Sequence, residues 1–386
     1  CLSMSKVLTS VLAILALGTL SLALDENAVR LQRSLRRNVH DSSSDPASVR
    51  NRVAAKYASN ALSYFRNTGK HHPIYHGTML SKRAGSSEIP LESESGWTAE
   101  VGIGKSVQTF NIVFDSGSAD LTMNAGTYDP AKSTTSKNLQ KTFSSNYMGG
   151  KADGNIFSDQ VLLGRVKAND VSIGQATEQF MPGGDHVQGV IGLSFPSLSA
   201  FGTSSHTFPE ALQREQDMDQ NVFQFNLRDS DPSLIIGKTD ESEVDGGFGW
   251  IDVSSQDGYW VVDAELNGKA VKGIVDSGTT VIIGNNDEVK EVLDKLDHVR
   301  VTKSERGEYQ GTFQCDNPPR VSINIAGKEV SMSKEALTLA TDGTNCQMSM
   351  LGMKGLNGWI LGESFFQVAS VVLDFDTPRI GIGKLK

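Results

Sequence analysis

The feature that constrains this chain most is a repeated device. Ile112-Val113-Phe114 delivers Asp115 into Ser116-Gly117-Ser118, and Ile274-Val275 delivers Asp276 into Ser277-Gly278-Thr279-Thr280. Each copy is a short, apolar, β-rich run that ends in an aspartate and a glycine turn. Each is followed at a similar distance by a second motif, Val190-Ile191-Gly192-Leu193 and Ile360-Leu361-Gly362-Glu363. A single Asp-Ser-Gly is an ordinary turn after a strand. Two, in the same order and with the same follower, mark an internal duplication.

Each residue of the turn has a physical task. Gly117 and Gly278 let the backbone turn tightly and let another chain come close. Ser118 and Thr279 can donate a hydrogen bond that fixes the neighbouring carboxylate. Ser116 and Ser277 keep a hydroxyl able to bond across to the opposite loop. Two carboxylates held together do not both ionise easily, so one keeps a proton at acid pH. One then serves as base toward water and the other as acid toward a carbonyl oxygen.

On these motifs the chain resembles the pepsin-like aspartic endopeptidases, from about Gly96 to the C-terminus. The resemblance implies an all-β fold, a bilobal double barrel with a cleft between two internally duplicated lobes. It implies that Asp115 and Asp276 activate water to hydrolyse peptide bonds between apolar residues at acid pH, without an acyl-enzyme, a cofactor or a metal. The partners would be protein or peptide substrates and pepstatin-like inhibitors, and the chain would be a monomer. Gly117, Gly278 and Thr280 would lie along the substrate. A hairpin from Thr142 to Gly164 would be the flap, with Tyr147 as its tyrosine and Gly149 at its tip. Three positions depart from the family pattern: Met148 replaces a glycine, Lys151 a small polar residue, and Thr122 a tryptophan that usually supports the flap tyrosine. Lys151 near the tip would disfavour lysine before the scissile bond and leave Phe, Leu or Met preferred.

The net charge of −9 argues against nucleic acid as a partner, and it conceals an asymmetry. Residues 1–83 carry 12 Lys/Arg and 4 Asp/Glu, so the remaining body holds 24 basic and 41 acidic residues, a balance of −17. A basic front on an acidic body is the pattern of a pro-segment and its enzyme. Taking Met4 as the start leaves Cys1–Ser3 upstream of it. Met4-Ser5-Lys6, the apolar run Val7–Leu20 and the small residues before Leu24 then read as a secretory signal over 1–23. Residues 24–83 read as the pro-segment, with Lys56 in an Ala-Ala-Lys-Tyr stretch similar to the family's cleft plug and Lys82-Arg83 as a processing site. Residues 84–250 and 251–386 read as the two lobes. No other stretch is long and apolar enough to span a bilayer, so the expectation is an exported protein without a stable membrane anchor, extracellular or else vacuolar.

Cys315 and Cys346 remain as a pair in the body. They would form one disulfide, worth roughly 3 kcal/mol, or stay as buried thiols; the resemblance favours the bridge. Gly102-Ile103-Gly104-Lys105-Ser106 imitates a phosphate loop but has Ala99 where that pattern needs glycine, and it reads better as a hairpin turn. His71–His76 has a proline inside it and no acid or thiolate nearby, so it reads as a flexible pro-segment stretch and not a metal site. Phe208–Met218 and Asp287–Leu296 have helical spacing, the latter with Val289, Val292, Leu293 and Leu296 as a core face. Gly258-Tyr259-Trp260 and Val371–Phe375 read as strands, and Asp374 and Asp376 as surface residues. Three other functions were weighed: a non-catalytic binding relative, a carboxylate-pair glycosidase and a Ser-His-Asp hydrolase. Both aspartates and both glycines are kept, tryptophans number only four, and the histidines form no motif.

Overall fold

The computed structural model describes residues 28–30, 32–33, 45–74, 97–181, 186–215, 218–228 and 232–386. The signal sequence and Lys82-Arg83 lie outside the described residues.

The duplication is visible in how the strands pair. In the first half, Gln108–Asp115 runs parallel to Gly189–Gly192, which is antiparallel to Leu121–Met123, itself parallel to Val166–Ala176. In the second half, Lys269–Val275 runs parallel to Trp359–Leu361, which is antiparallel to Ile282–Asn285, itself parallel to Asn345–Met353. The follower motifs are therefore the strands that back each aspartate. Gly192 and Gly362 are required there: a Cβ would collide with the backbone of Ala119 in the first half and of Thr279 and Val281 in the second. These strands are buried on both faces, which is why they read as unbroken apolar runs and not as alternating ones.

Each motif sits in its own sheet, one of eight strands and one of ten, and a third sheet of six strands joins the halves. The third sheet takes Ala28–Arg30 from ahead of the body, Val222–Asn226, Ser233–Ile236 and Val244–Asp252 from mid-chain, and Ala369–Asp374 and Arg379–Leu385 from the end. The chain is all-β and bilobal. Residue 250, the expected lobe boundary, falls inside a strand of this shared sheet. Trp260 clamps the junction: its ring packs 4.4 Å from Phe195 and 4.9 Å from Phe375, and its Nε1 donates to the Leu193 carbonyl at 2.6 Å. The Cys315–Cys346 disulfide closes a loop in the second half.

Local readings shift in several places. Both expected helices are present, Phe208–Glu215 and Asn286–Leu293, the second ending three residues before Leu296. Val289, Val292, Leu293 and Leu296 are all core. Gly258-Tyr259-Trp260 is no strand: Gly258 caps a short 3-10 turn with φ 81°, and the strand begins at Val261. Asp374 is buried, because Arg379 Nε and the amides of Asp376 and Thr377 satisfy its carboxylate; Asp376 is exposed.

The largest departure lies ahead of the body. Pro46–Thr68 forms a 23-residue helix, α1, capped by Asp45 accepting from the Ser48 amide at 2.9 Å and ended by Gly69 at φ 71°. Val49, Val53, Tyr57, Ala61 and Tyr64 make one apolar stripe at helical spacing, buried against Ala119, Met148, Leu198, Tyr259, Leu351 and Met353 of the body. A helix this amphipathic is stable only on a surface that covers the stripe. Here that surface is the cleft.

Candidate active site

The two Asp-Ser-Gly turns meet at the cleft floor in a crossed arrangement. Ser116 Oγ donates to the Val275 carbonyl and accepts from the Ser277 amide, at 3.0 and 2.8 Å. Ser277 Oγ donates to the Phe114 carbonyl and accepts from the Ser116 amide, again at 2.8 and 3.0 Å. Each hydroxyl thus holds the backbone of the opposite half. Within each turn the geometry repeats. The Gly117 amide and Ser118 Oγ donate to Asp115 at 2.9 and 2.6 Å; the Gly278 amide and Thr279 Oγ1 donate to Asp276 at 2.9 and 2.7 Å. A Cβ on Gly117 would strike the Asp276 carboxylate, and one on Gly278 the Asp115 carboxylate. The glycines are what let the carboxylates come together.

Helix α1 fills the space above them. Lys56 Nζ lies 2.8 Å from Asp115 Oδ1 and 3.0 Å from each oxygen of Asp276, and the Tyr57 hydroxyl donates to Asp276 Oδ2 at 2.6 Å. Lys56, Asp115 and Asp276 are all buried. Burial pushes the Lys56 ammonium down, but the two carboxylates more than reverse this and hold it above its ordinary value. Burial pushes Asp115 up, and neighbouring Asp276 adds to this, so it stays above the usual range despite Lys56. Burial acts on Asp276 as well, but Lys56, Tyr57 and Thr279 outweigh it and bring it below. The carboxylates titrate as one split pair. Lys56 does not keep both ionised to the same degree.

Further contacts fix the helix. Asn60 Nδ2 donates to the Gly117 carbonyl at 2.7 Å, and Asn67 Nδ2 to the carbonyls of Ser197 and Ser199. Beyond the helix, buried His72 meets the Asp257 carbonyl at 2.6 Å through Nε2, accepts from the Ile74 amide through Nδ1, and packs edge-on against Tyr64 and Tyr259. Burial holds its pKa below the ordinary value. The histidine stretch is therefore docked at His72 and is not a loose one; His76 lies outside the described residues. No group of three or more His, Cys, Asp or Glu placed to hold a metal occurs among the described residues. Asn60, Asn67 and Tyr259 carry no motif, and His72 was expected in a loose stretch; only the Ala-Ala-Lys-Tyr resemblance at Lys56 pointed to this region.

A description of family membership now rests on more than motifs. The model of the family called eukaryotic aspartyl protease matches residues 96–385. The chain belongs to the eukaryotic aspartyl protease family. It is 34% identical over 340 residues to secreted aspartyl protease 1 of Malassezia globosa, covering 86% of this chain and 85% of that one. It is 27% identical to a probable inactive secreted aspartyl protease of the same organism, over 85% and 89% of the two chains. Cathepsin D of Gallus gallus is also 27% identical, over 75% of this chain and 81% of its own.

In this member of the family the hairpin of Lys137–Asn146 and Lys151–Leu163 meets α1 through Asn146 and Met148, with Tyr147 to Gly150 as its tip, closed by amide–carbonyl bonds both ways between those two residues. The Tyr147 ring packs 4.9 Å from Phe180, and its hydroxyl bonds Thr122 Oγ1 at 2.7 Å. Thr122 thus gives the flap tyrosine a direct polar partner. Met148 is buried among the residues that receive α1, Gly149 is half-buried in the tip, and Thr280 is held through its carbonyl by Ser364 Oγ at 3.1 Å. Lys151 is paired at 2.6 Å with Asp153 and faces solvent. No helix among the described residues is long and apolar enough to cross a membrane.

Proposed function

We propose that this chain is made as a secreted zymogen and becomes an acid endopeptidase in which Asp115 and Asp276 activate water against the peptide carbonyl. The observation that carries this reading is the position of Lys56 Nζ, equidistant within 0.2 Å from both carboxylates. An atom held there occupies the place from which a nucleophilic oxygen would be shared by both groups. With the helix displaced, the carboxylate of lower pKa takes a proton from water while its protonated partner gives one to the carbonyl oxygen. Gly117, Gly278, Gly149, Thr280 and Tyr147 line the peptide, and Tyr147, held by Thr122, closes over it and excludes water. Apolar residues on either side of the bond fit the apolar surface that α1 now covers.

The cleft lies between lobes of residues 84–250 and 251–386, and 24–83 form the pro-segment, released after processing at Lys82-Arg83 or by self-cleavage. Acid is the trigger. Lys56 lowers the pKa of both carboxylates and Tyr57 that of Asp276, so docking favours their ionised forms and weakens as they take up protons with falling pH. His72 acts in the same direction: its docked pKa is lowered, so docking is favoured above about 6.5 and weakens below it. A non-catalytic role, suggested by the relative named inactive, is less well supported because this chain keeps both aspartates in matched hydrogen-bond cages. The deciding test is digestion of haemoglobin or casein by the acidified full-length chain near pH 4. Pepstatin-sensitive cleavage is expected, with an optimum at roughly pH 3–5. No cleavage, or cleavage indifferent to pepstatin, overturns the reading.

A further inference from the structure

Arg50 is buried, with 3% of its surface exposed. Burying a guanidinium is costly unless its donors are met. Its Nε donates to the Gly352 carbonyl at 2.7 Å, and its Nη2 to the Tyr309 carbonyl and to Gln310 Oε1, both at 3.1 Å. Glu308 Oε2 lies 3.7 Å from Nε. All these acceptors belong to the body and none to the helix. They sit where the pairing of Tyr309–Gln314 with Asn345–Met353 is irregular between Gln310 and Thr312, a bulge of the kind that re-aims polar groups. Burial pushes the guanidinium pKa down, and Glu308 and Asp45 oppose this. Asp45 departs with the helix; Glu308 stays.

One helix reaches both this socket and the paired aspartates. Arg50 precedes Lys56 by six residues on one helix, about 9 Å at ~1.5 Å per residue. An extended peptide covers that distance in about three residues at ~3.3 Å each. We propose that, once α1 is displaced, this socket is a substrate subsite for an arginine side chain three or four residues from the scissile bond. It lies on the side of the cleft walled by Tyr309–Gln314 and Asn345–Met353. The ligand class is a peptide guanidinium: three acceptors around a planar fork, beside one carboxylate, suit arginine better than the point charge of lysine. The inference rests on the peptidase reading and adds to it a basic determinant remote from the bond.

The test uses fluorogenic peptides with one apolar cleavage site and Arg, Lys, citrulline or norleucine placed in turn at positions two to five on either side. The enzyme is the acid-activated full-length chain. At one position, three or four residues from the bond, Arg is expected to exceed norleucine in kcat/KM by about tenfold, with Lys and citrulline between. Glu308→Gln should lower the Arg:norleucine ratio to about threefold, and Gln310→Leu should lower it independently, so either variant suffices if the other fails to fold. Equal cleavage of Arg and norleucine peptides at every position overturns the subsite and leaves the peptidase reading intact. A preference unchanged in both variants also overturns it, since the arginine is then bound elsewhere. Cleavage of none of the peptides overturns the peptidase reading, and the subsite with it.

Discussion

Asp120 offers a quantitative test of how this fold responds to pH. Its carboxyl lies just past the first catalytic turn, buried, with Ser199 Oγ at 2.5 Å from Oδ1 and the Ala200 amide at 2.7 Å from Oδ2. Burial raises its pKa from 3.8 to about 7, although both hydrogen bonds pull the other way. A carboxyl with a raised pKa binds its proton more tightly when folded. Between about pH 4 and 7 the folded chain therefore carries a proton that the unfolded chain has lost, and stability falls as pH rises through that window. Three units at about 1.36 kcal/mol each give a loss of up to about 4 kcal/mol by pH 8. Asp120→Asn should remove it. Ser199 Oγ and the Ala200 amide both donate to the carboxyl; in the variant the amide oxygen can still accept from Ala200 while its NH2 donates to Ser199 Oγ once that hydroxyl turns away. Urea unfolding of both chains from pH 3.5 to 8 isolates the effect, because all other groups cancel in the difference. The variant should match wild type at pH 3.5 and exceed it progressively toward neutrality. Stability curves that stay parallel across the range would refute the assignment of a protonated Asp120.

Asp115→Asn and Asp276→Asn should each lower cleavage by roughly 10³-fold or more while circular dichroism stays unchanged; substantial activity in either would contradict the shared-water mechanism. His72→Gln keeps a donor for the Asp257 carbonyl but cannot take a proton, so activation should require a lower pH, and activation curves that coincide with wild type would exclude His72 from the trigger. Thr122→Val removes the partner of the Tyr147 hydroxyl and should cost about 1 kcal/mol of stability and raise KM; unaltered kinetics would show that the flap is positioned by packing against Phe180 alone.

Much of the body was legible because its constraints are local. An apolar run ending in Asp-Ser-Gly names a strand, its end and a carboxylate in one phrase, and the second copy names the partner. Lys56 stood out for a different reason, the similarity of its Ala-Ala-Lys-Tyr stretch to the family's cleft plug. Helix α1 was missed because its composition is polar and basic overall; its Val49, Val53, Tyr57, Ala61 and Tyr64 cover the cleft and not a core of their own. The cap residues Asp45, Pro46 and Gly69 were readable and would have located it. Asp120 and Arg50 were not readable at all. Their partners, Ser199 and Ala200 for one, Gly352 and Tyr309 for the other, come from distant stretches, and nothing in the residues beside them marks the meeting. Asp374 misled for the opposite reason. It lacks a turn motif, yet the strand's own end supplies its donors.

Among the described residues the segment ahead of the body is held at four places: 28–30 pairs with 233–235, 32–33 pairs with 97–98, α1 lies in the cleft, and His72 to Ile74 bond Asp257 and Asn357. None of these attachments is a covalent bond, so severing the chain between segment and body leaves the cleft filled. What severing changes is molecularity. While joined, the segment meets its cleft at an effective concentration on the order of millimolar. Once cut, it is a free peptide that competes with substrate, and its occupancy falls with volume. For the proposed zymogen, export into an open medium would then be a trigger in its own right beside acid, and a confined compartment would withhold it.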